Sequence, residues 1–593
     1  MATPSGLYIV CAPAGTDLGS AVDRLKKSLK PSQVFHRDLE YELCRSQAVR
    51  EALQQAGVSR PPDFSGEWPT MYHVTWNLSR SKLTDLWQQI VRKSLSDLDD
   101  SGKPFKLLTG HLVYYGGRRD EFYSVVTAEP FLHRDSVGKS AVLLLIDDVY
   151  DMYLRLTEDK QLYAHADRLP HHLARMRREE NLSAARGFSK DLESYFCTEW
   201  ELGVMTHLLA WRHLEALTAE NLALQLGAKF LTLSVKHPVS AASQWLANPN
   251  AISVYFSHPI SRPRKEWRKK KRWHPVVREF SNLVCWLDGA KLVCVMPTAI
   301  DEYRIARPGG RVKKRALRRL PALDERWPVS FSPSSLLYEK PLRASDMSHA
   351  NLLNAKIWDP HERKLKEWKG RASSAIGSRE HSILLRALER QIQFQISSRD
   401  HLLVSHSDCL LVFRPFFQDG EWSGGVQAEI DHWVLLAKTD PKKKAVFVHF
   451  EEDVRDRARV ENPARIELEV ENTLVHIVEK GHHLSWEKAK EVLRKKGSAM
   501  LDSGTLPLSD LSQIHDLLPK YKEQARQDVL IRHFTGIDDP DPKRVAIIVV
   551  KSPYELKKMV PSIATYLKHG QSPPLDWSRV SKIFFSSLSH SSL

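Results

Sequence analysis

The chain has 593 residues, 42% of them hydrophobic and 27% charged, and a formal net charge of +15. At roughly 100 to 200 residues per domain this is about three to five domains, each able to bury a core, which excludes a small cross-linked scaffold and a disordered chain. The longest apolar run, Ala141 to Ile146, is far short of the roughly 20 residues that cross a bilayer, so no membrane span is expected.

The opening MATPSGLYIV has no basic stretch followed by an apolar one, which argues against a secretory signal. The six cysteines (Cys11, Cys44, Cys197, Cys285, Cys294 and Cys409) lie far apart, several of them in apolar runs. That usage predicts reduced, buried thiols in a cytoplasmic protein.

Residues 1–245 form the first expected domain. Leu7 to Cys11 reads as a buried strand, APAGTDLGSA as a glycine-bearing turn, and Ala21 to Leu29 as a helix. That succession puts backbone N–H groups and a helix N-terminus around a phosphate, with Gly15, Gly19 and Ser20 lining the loop. The Lys expected between Gly19 and Ser20 is missing. AVLLLIDDVYD, Ala141 to Asp151, reads as a buried strand ending in Asp147 and Asp148, where such folds hold a magnesium-binding carboxylate. The order resembles a degenerate P-loop nucleotide-kinase-like domain, which implies ATP and Mg as its ligands. A purely structural α/β module has the same pattern.

The second expected domain covers 250–455. AISVYFSHP is a strand bounded by turn residues, Pro275 to Leu287 a helix, and AKLVCVMP a second strand. Residues 306–380, rich in Pro, Arg, Ser and Trp, read as an insertion. Ser382 to Val404 follows as a helix, CLLVF (Cys409 to Phe413) as a third strand, Val426 to Ala437 as a helix and KAVFVHF (Lys444 to Phe450) as a fourth strand. Strands alternating with helices predict an α/β fold of doubly wound parallel sheets, with ligands at the carboxyl ends of the strands. Residues 456–593 read as a mostly helical third domain with one strand-like run, VAIIVV, and no motif.

Two basic runs leave strand ends of the second domain. RPRKEWRKKKR (262–272) carries eight basic residues against one Glu, and 304–319 carries eight more with no acid. Such runs attract phosphates by Coulomb steering and paired hydrogen bonds. Two solvated loops would look the same.

Four pieces of the second domain carry chemistry: VYFSHPISRPRKE after the first strand, RDHLLVSHSDCLLVF, WSGGVQAEI with Glu429 in the first turn of a helix, and the basic overhang. Together they resemble the nucleoside 2-deoxyribosyltransferase family, and more closely its branch of 2'-deoxynucleoside 5'-monophosphate N-glycosidases, over about 200 residues. The resemblance implies that Glu429 is the nucleophile at the anomeric carbon. It implies that Asp400 is a second acid orienting the sugar or the leaving base, and that Tyr255 hydrogen-bonds near the nucleophile. Gly424 and Gly425 let the backbone approach the ligand. Where the base transferases place an Asp, this chain has Ser423, which in the hydrolysing branch receives the 5'-phosphate, and Arg262 and Arg264 are placed to add charge-assisted bonds. Ser257 and His258 replace the small Cys and Gly usual after the strand aromatic, and His258 is a candidate substrate or packing residue. Taken singly, Glu429 could be a capping charge, Asp400 a surface ion-pair partner of Arg399, and Tyr255 a core residue.

The expected function is hydrolysis of the N-glycosidic bond of a (deoxy)nucleoside 5'-monophosphate, in the manner of bacterial nucleotide-centred defence or stress systems. No cofactor is required for the glycosidase, no His/Cys spacing suggests a metal site, and the family's habit implies a homo-oligomer. Two alternatives stay open: a nucleotide sensor without turnover, and a nucleic-acid-binding protein using the basic runs with Trp267 and Trp273 for stacking.

Overall fold

The structure, a computed structural model, describes residues 6–60, 68–116, 121–124, 126–132, 140–147, 152, 190–248, 250–260, 275–299, 394, 397–416, 420–494, 508–538, 541, 544–571 and 577–590. The chain divides into two compact units, Met1–Ser253 with Lys291–Ser407, and Val254–Ala290 with Asp408–Leu593.

The first unit contains strands β1 (Gly6–Cys11), β2 (Val34–Asp38), β3 (Phe105–Gly110), β4 (Val113–Gly116), β5 (Glu121–Ser124), β6 (Ala141–Ile146) and β7 (Lys229–Ser234). Its helices are α1 (Leu18–Ser28), α2 (Leu39–Arg45), α3 (Gln47–Gln55), α4 (Met71–Asn77), α5 (Arg80–Asp100), α6 (Glu129–Leu132), α7 (Lys190–Gln225) and α8 (Val239–Ala247). Five strands make a sheet in the order β2-β3-β1-β6-β7 with every pair parallel, and β4–β5 is a separate antiparallel hairpin. β1 and β6 are buried at every position, as their unbroken apolar runs require of parallel strands covered on both faces. Sheet-building moves in both directions from β1, so right-handed crossovers place helices on both faces.

The second sheet has the order β12-β11-β10-β8-β9, from β8 (Ser253–Ser257), β9 (Val293–Val295), β10 (Cys409–Phe413), β11 (Lys444–Phe450) and β12 (Val545–Val550). The β8–β10, β10–β11 and β11–β12 pairs are parallel. The helices are α9 (Pro275–Gly289), α10 (Gly424–Thr439), α11 (Glu451–Val460), α12 (Pro463–Gly481), α13 (Trp486–Arg494), α14 (Leu508–Thr535), α15 (Pro553–His569) and α16 (Trp577–His590). β8 and β10 are neighbours although β9 lies between them in sequence. The chain therefore reverses its building direction there, and ligands of such sheets lie outside the carboxyl ends at that reversal.

The α/β class and the parallel sheets match the sequence reading. The boundary expected at 455/456 is crossed by the sheet, because 456–593 supplies β12, which runs beside β11 from Ala445↔Val545 to Phe450↔Val550. Helices α12, α13 and α14 do form a cluster of their own, around Val478, Ala489 and Ala525. Cys11, Cys44, Cys285, Cys294 and Cys409 form no disulfide; Cys11, Cys294 and Cys409 are buried as expected, whereas Cys285 is exposed. Among the described residues no helix is long and apolar enough to cross a membrane.

Candidate functional site

Side chains two apart on a strand share a face, so Tyr255 and Ser257 of β8 point the same way. Both reach one carboxylate. Tyr255 Oη donates to Glu429 Oε1 at 2.7 Å, and Ser257 Oγ donates to Glu429 Oε2. Tyr255 and Ser257 are fully buried and Glu429 is 7% exposed. In register, Tyr255 lies opposite Leu410 and Ser257 opposite Val412 of β10, so the cluster stands at the carboxyl end of the β8–β10 pair, where the sheet reverses. Ser257 is the residue that sequence reasoning missed; its signal was the alternation Tyr255-x-Ser257 on a strand already assigned.

The helix that carries Glu429 starts earlier than expected. Gly424 and Gly425 are not a turn before it but its first two residues, with Ser423 as N-cap, so Glu429 stands in the second turn and the first holds no acid. The partnerless N–H groups of a helix belong to its first turn. Those groups therefore do not hold Glu429, as a first-turn position would have implied; hydroxyls of β8 hold the carboxylate. Ser423, 8% exposed, makes no side-chain bond to its own helix; its N–H donates to Pro415 O at 3.1 Å.

The other expected residues have separate places. His258 is buried and its ring stacks on Phe280, centroids 3.7 Å apart. Asp400 belongs to the first unit, in helical residues 397–405, where Arg399 Nε and Nη2 donate to its Oδ1 at 3.0 and 2.8 Å. Arg262, Arg264, both basic runs and the 306–380 insertion lie outside the described residues.

The end of β10 is fixed by a charge network with no sequence signature. Arg414, the residue after the strand, has a positive φ of 47°. Its Nε donates to both oxygens of Asp453 at 3.2 and 3.1 Å, its Nη1 to Glu279 at 2.7 Å, and its Nη2 to Asp453 at 2.8 Å and to Glu452. Asp453 also accepts the Phe450 N–H at 2.8 Å. One guanidinium thus ties β10 to α9, α11 and the end of β11, and fixes where the chain toward Ser423 begins.

In the first unit, Gly15 takes a φ of 85° in the loop after β1, where the Thr16 N–H donates back to Pro13 O at 3.1 Å. Asp17 caps α1 by accepting the Ser20 N–H at 3.1 Å, so a carboxylate already occupies that helix end. Gly19 and Ser20 are exposed. Asp147 is fully buried, and Lys236 Nζ lies 3.3 Å from its Oδ1. Among the described residues no group of three His, Cys, Asp or Glu could hold a metal ion. An anion at the loop and an ammonium on the carboxylate do not fit a phosphate-and-magnesium site.

Beside that loop lies a buried titrating cluster. Glu215 of α7 accepts the Leu112 and Val113 N–H groups at 2.7 and 2.8 Å, and burial pushes its carboxyl up to about 8. Burial alone would lower His111, but the Glu40 and Glu215 carboxylates and the Ala12 carbonyl raise it. Both groups bind protons more tightly folded than unfolded. Their contribution is complete below the unfolded values and is lost as pH rises through the folded ones, for Glu215 between 4.5 and about 8. His237 and His449 behave oppositely, since burial lowers them to about 4 and about 3, and their contribution is present above 6.5 and lost as pH falls. Thermal stability is expected to peak near pH 6.5, each group contributing a slope of about 1.4 kcal/mol per pH unit inside its window. Melting scans from pH 4.5 to 8.5 test this, and Glu215→Gln should remove most of the alkaline fall; a flat alkaline limb in the wild type would refute it.

No family model matches the chain, and no curated protein sequence matches it.

Proposed function

We propose that the site around Glu429 hydrolyses the N-glycosidic bond of a nucleoside 5'-monophosphate. The observation that carries this reading is a buried glutamate whose two oxygens are held by hydroxyls of a single strand, at the carboxyl end of a parallel sheet where the strand order reverses. Held in this way, Glu429 attacks the anomeric carbon as the bond to the base breaks. The base leaves with the bonding electron pair and takes a proton from solvent, and the sugar is left as an ester of Glu429. Water then attacks the same carbon, its proton passes to solvent, and the carboxylate is restored. The products are the base and the sugar 5-phosphate.

The start of α10 supports the phosphate end of this reading. A glycine costs a helix up to about 1 kcal/mol relative to alanine. Neither Gly424 nor Gly425 has a positive φ, and a Cβ on either would meet nothing within 4 Å. Packing within the described residues does not need the missing side chains, whereas an anion approaching the first-turn N–H groups does. The resemblance gives Arg262 and Arg264 the phosphate contacts. Nucleotide binding without turnover is the second reading, supported by the missing P-loop Lys of the first unit.

Release of free base from a panel of deoxy- and ribonucleoside 5'-monophosphates, followed by liquid chromatography, tests the proposal. Ser423→Ala is expected to raise KM for monophosphates at least about tenfold and to leave nucleosides little changed. Gly425→Ala is expected to stabilise the fold by a few tenths of a kcal/mol while lowering turnover of the same substrates. No base from any monophosphate, with the protein folded, would sink the hydrolase reading in favour of the second.

A further inference from the structure

The second unit holds a cavity of about 600 Å3 in whose lining Glu429 takes no part. It is walled by α11, α12, α13 and the end of α14, together with Trp422, the residue before the N-cap of α10. Its size falls within the roughly 300 to 1,000 Å3 of small-molecule sites.

The donors and acceptors around it are unequally partnered. Glu461 is shared by Arg457 and by His533 Nδ1 at 3.2 Å, and Glu469 by Arg465 at 3.0 Å and His533 Nε2 at 2.9 Å, so each carboxylate already serves two donors. Arg532 has only a neutral partner: its Nη2 donates to Thr473 Oγ1 at 2.6 Å, and among the described residues it meets no carboxylate. Arg457 Nε is buried with no hydrogen-bond partner among the described residues. Burial, incompletely offset by Glu461, also holds the Arg457 guanidinium below its ordinary value. Asp538 also lines the cavity, so Arg457, Arg465 and Arg532 are matched in number by Glu461, Glu469 and Asp538. What is in excess among the described residues is guanidinium donors without a carboxylate or without any partner, at Arg532 and at Arg457 Nε, beside two indoles, Trp422 and Trp486. Guanidinium groups select phosphate by paired bonds, and indoles select flat rings by stacking.

We propose that this cavity is a second binding site, for a small ligand that joins a flat aromatic ring to a phosphate, of the nucleoside monophosphate class. Arg532 and Arg457 take the phosphate and the two tryptophans the ring. The inference does not rest on turnover at Glu429.

Calorimetric titration of the full chain carrying Glu429→Gln with AMP, adenosine and inorganic phosphate tests it, because hydrolysis is then disabled and failure of the glycosidase reading cannot be confused with failure of this one. AMP is expected to bind at least tenfold more tightly than adenosine or phosphate. Adding Arg532→Gln should weaken AMP at least tenfold and leave adenosine unchanged. Trp486→Leu should weaken both, and Trp422→Phe gives the same readout if loss of Trp486 loosens the helices it packs on. Absence of AMP binding, AMP binding that ignores Arg532→Gln in a protein of unchanged circular dichroism, or phosphate binding as tightly as AMP would overturn the proposal.

Discussion

Arg414→Ala is expected to cost about 3 to 5 kcal/mol of stability, the loss typical of breaking a buried ion pair from one side. Arg414 and Asp453 are each 8% exposed at the side chain, and Glu279 is 17% exposed, so removal of the guanidinium leaves acids that water cannot fully solvate. Arg414→Lys should recover only part of the loss, since an ammonium cannot place five donors on three carboxylates and on the ring of Phe450 at once. The left-handed φ of Arg414 adds to the argument, because a non-glycine residue adopts it only when its surroundings impose it. Asp453 gives the experiment a pH signature. Burial raises its carboxyl even with Arg414 present, and without Arg414 it should take up a proton more readily, so the loss should shrink at pH 5. Urea unfolding at pH 5 and pH 7.5 reads both effects. A loss below about 1 kcal/mol at pH 7.5 would mean that the network is incidental to the fold.

That network also marks where sequence reasoning stops. The strands were legible because parallel strands covered on both faces have to be unbroken apolar runs, as Ala141–Ile146 and Cys409–Phe413 are. Tyr255 and Glu429 were legible as a pair only through the order of several motifs, and their meeting across 174 positions is a property of the sheet. Gly424 and Gly425 were left outside the helix read from Val426 for a physical reason: two glycines in a row have the poorest helix propensity short of proline, and only the structure shows them tolerated in the first turn of α10. The Lys236–Asp147 pair has no local signal, because what brings it together is the parallel pairing of β6 with β7. β12 was recognised as strand-like, but nothing in residues 451–544, between β11 and β12, indicates that the chain returns to the same sheet. Ser257 was seen first as a departure from a family pattern, and its role emerges once its alternation with Tyr255 is set against the position of α10.

Glu429→Gln is expected to reduce base release at least about a thousandfold while leaving the fold intact. The amide has nearly the shape of the carboxylate, and its oxygen can still accept from Tyr255 or from Ser257. Its nitrogen must then face the other hydroxyl, which can turn to accept instead. Packing is therefore preserved, and what is lost is the oxygen able to form an ester with the sugar. This separates the substitution from Glu429→Ala, which would leave two buried hydroxyls and a cavity and so confuse stability with chemistry. Tyr255→Phe and Ser257→Ala sharpen the contrast, since each removes one hydrogen bond and leaves the nucleophile. They should lower turnover by about 10 to 100-fold, within the range that mispositioning alone produces. The ordering of the three variants is the discriminating result. If Glu429→Gln falls no further than Tyr255→Phe, the carboxylate only organises the strand end. If it falls far below both, with melting temperature unchanged, bond formation at Glu429 is the step that the hydroxyls of β8 prepare.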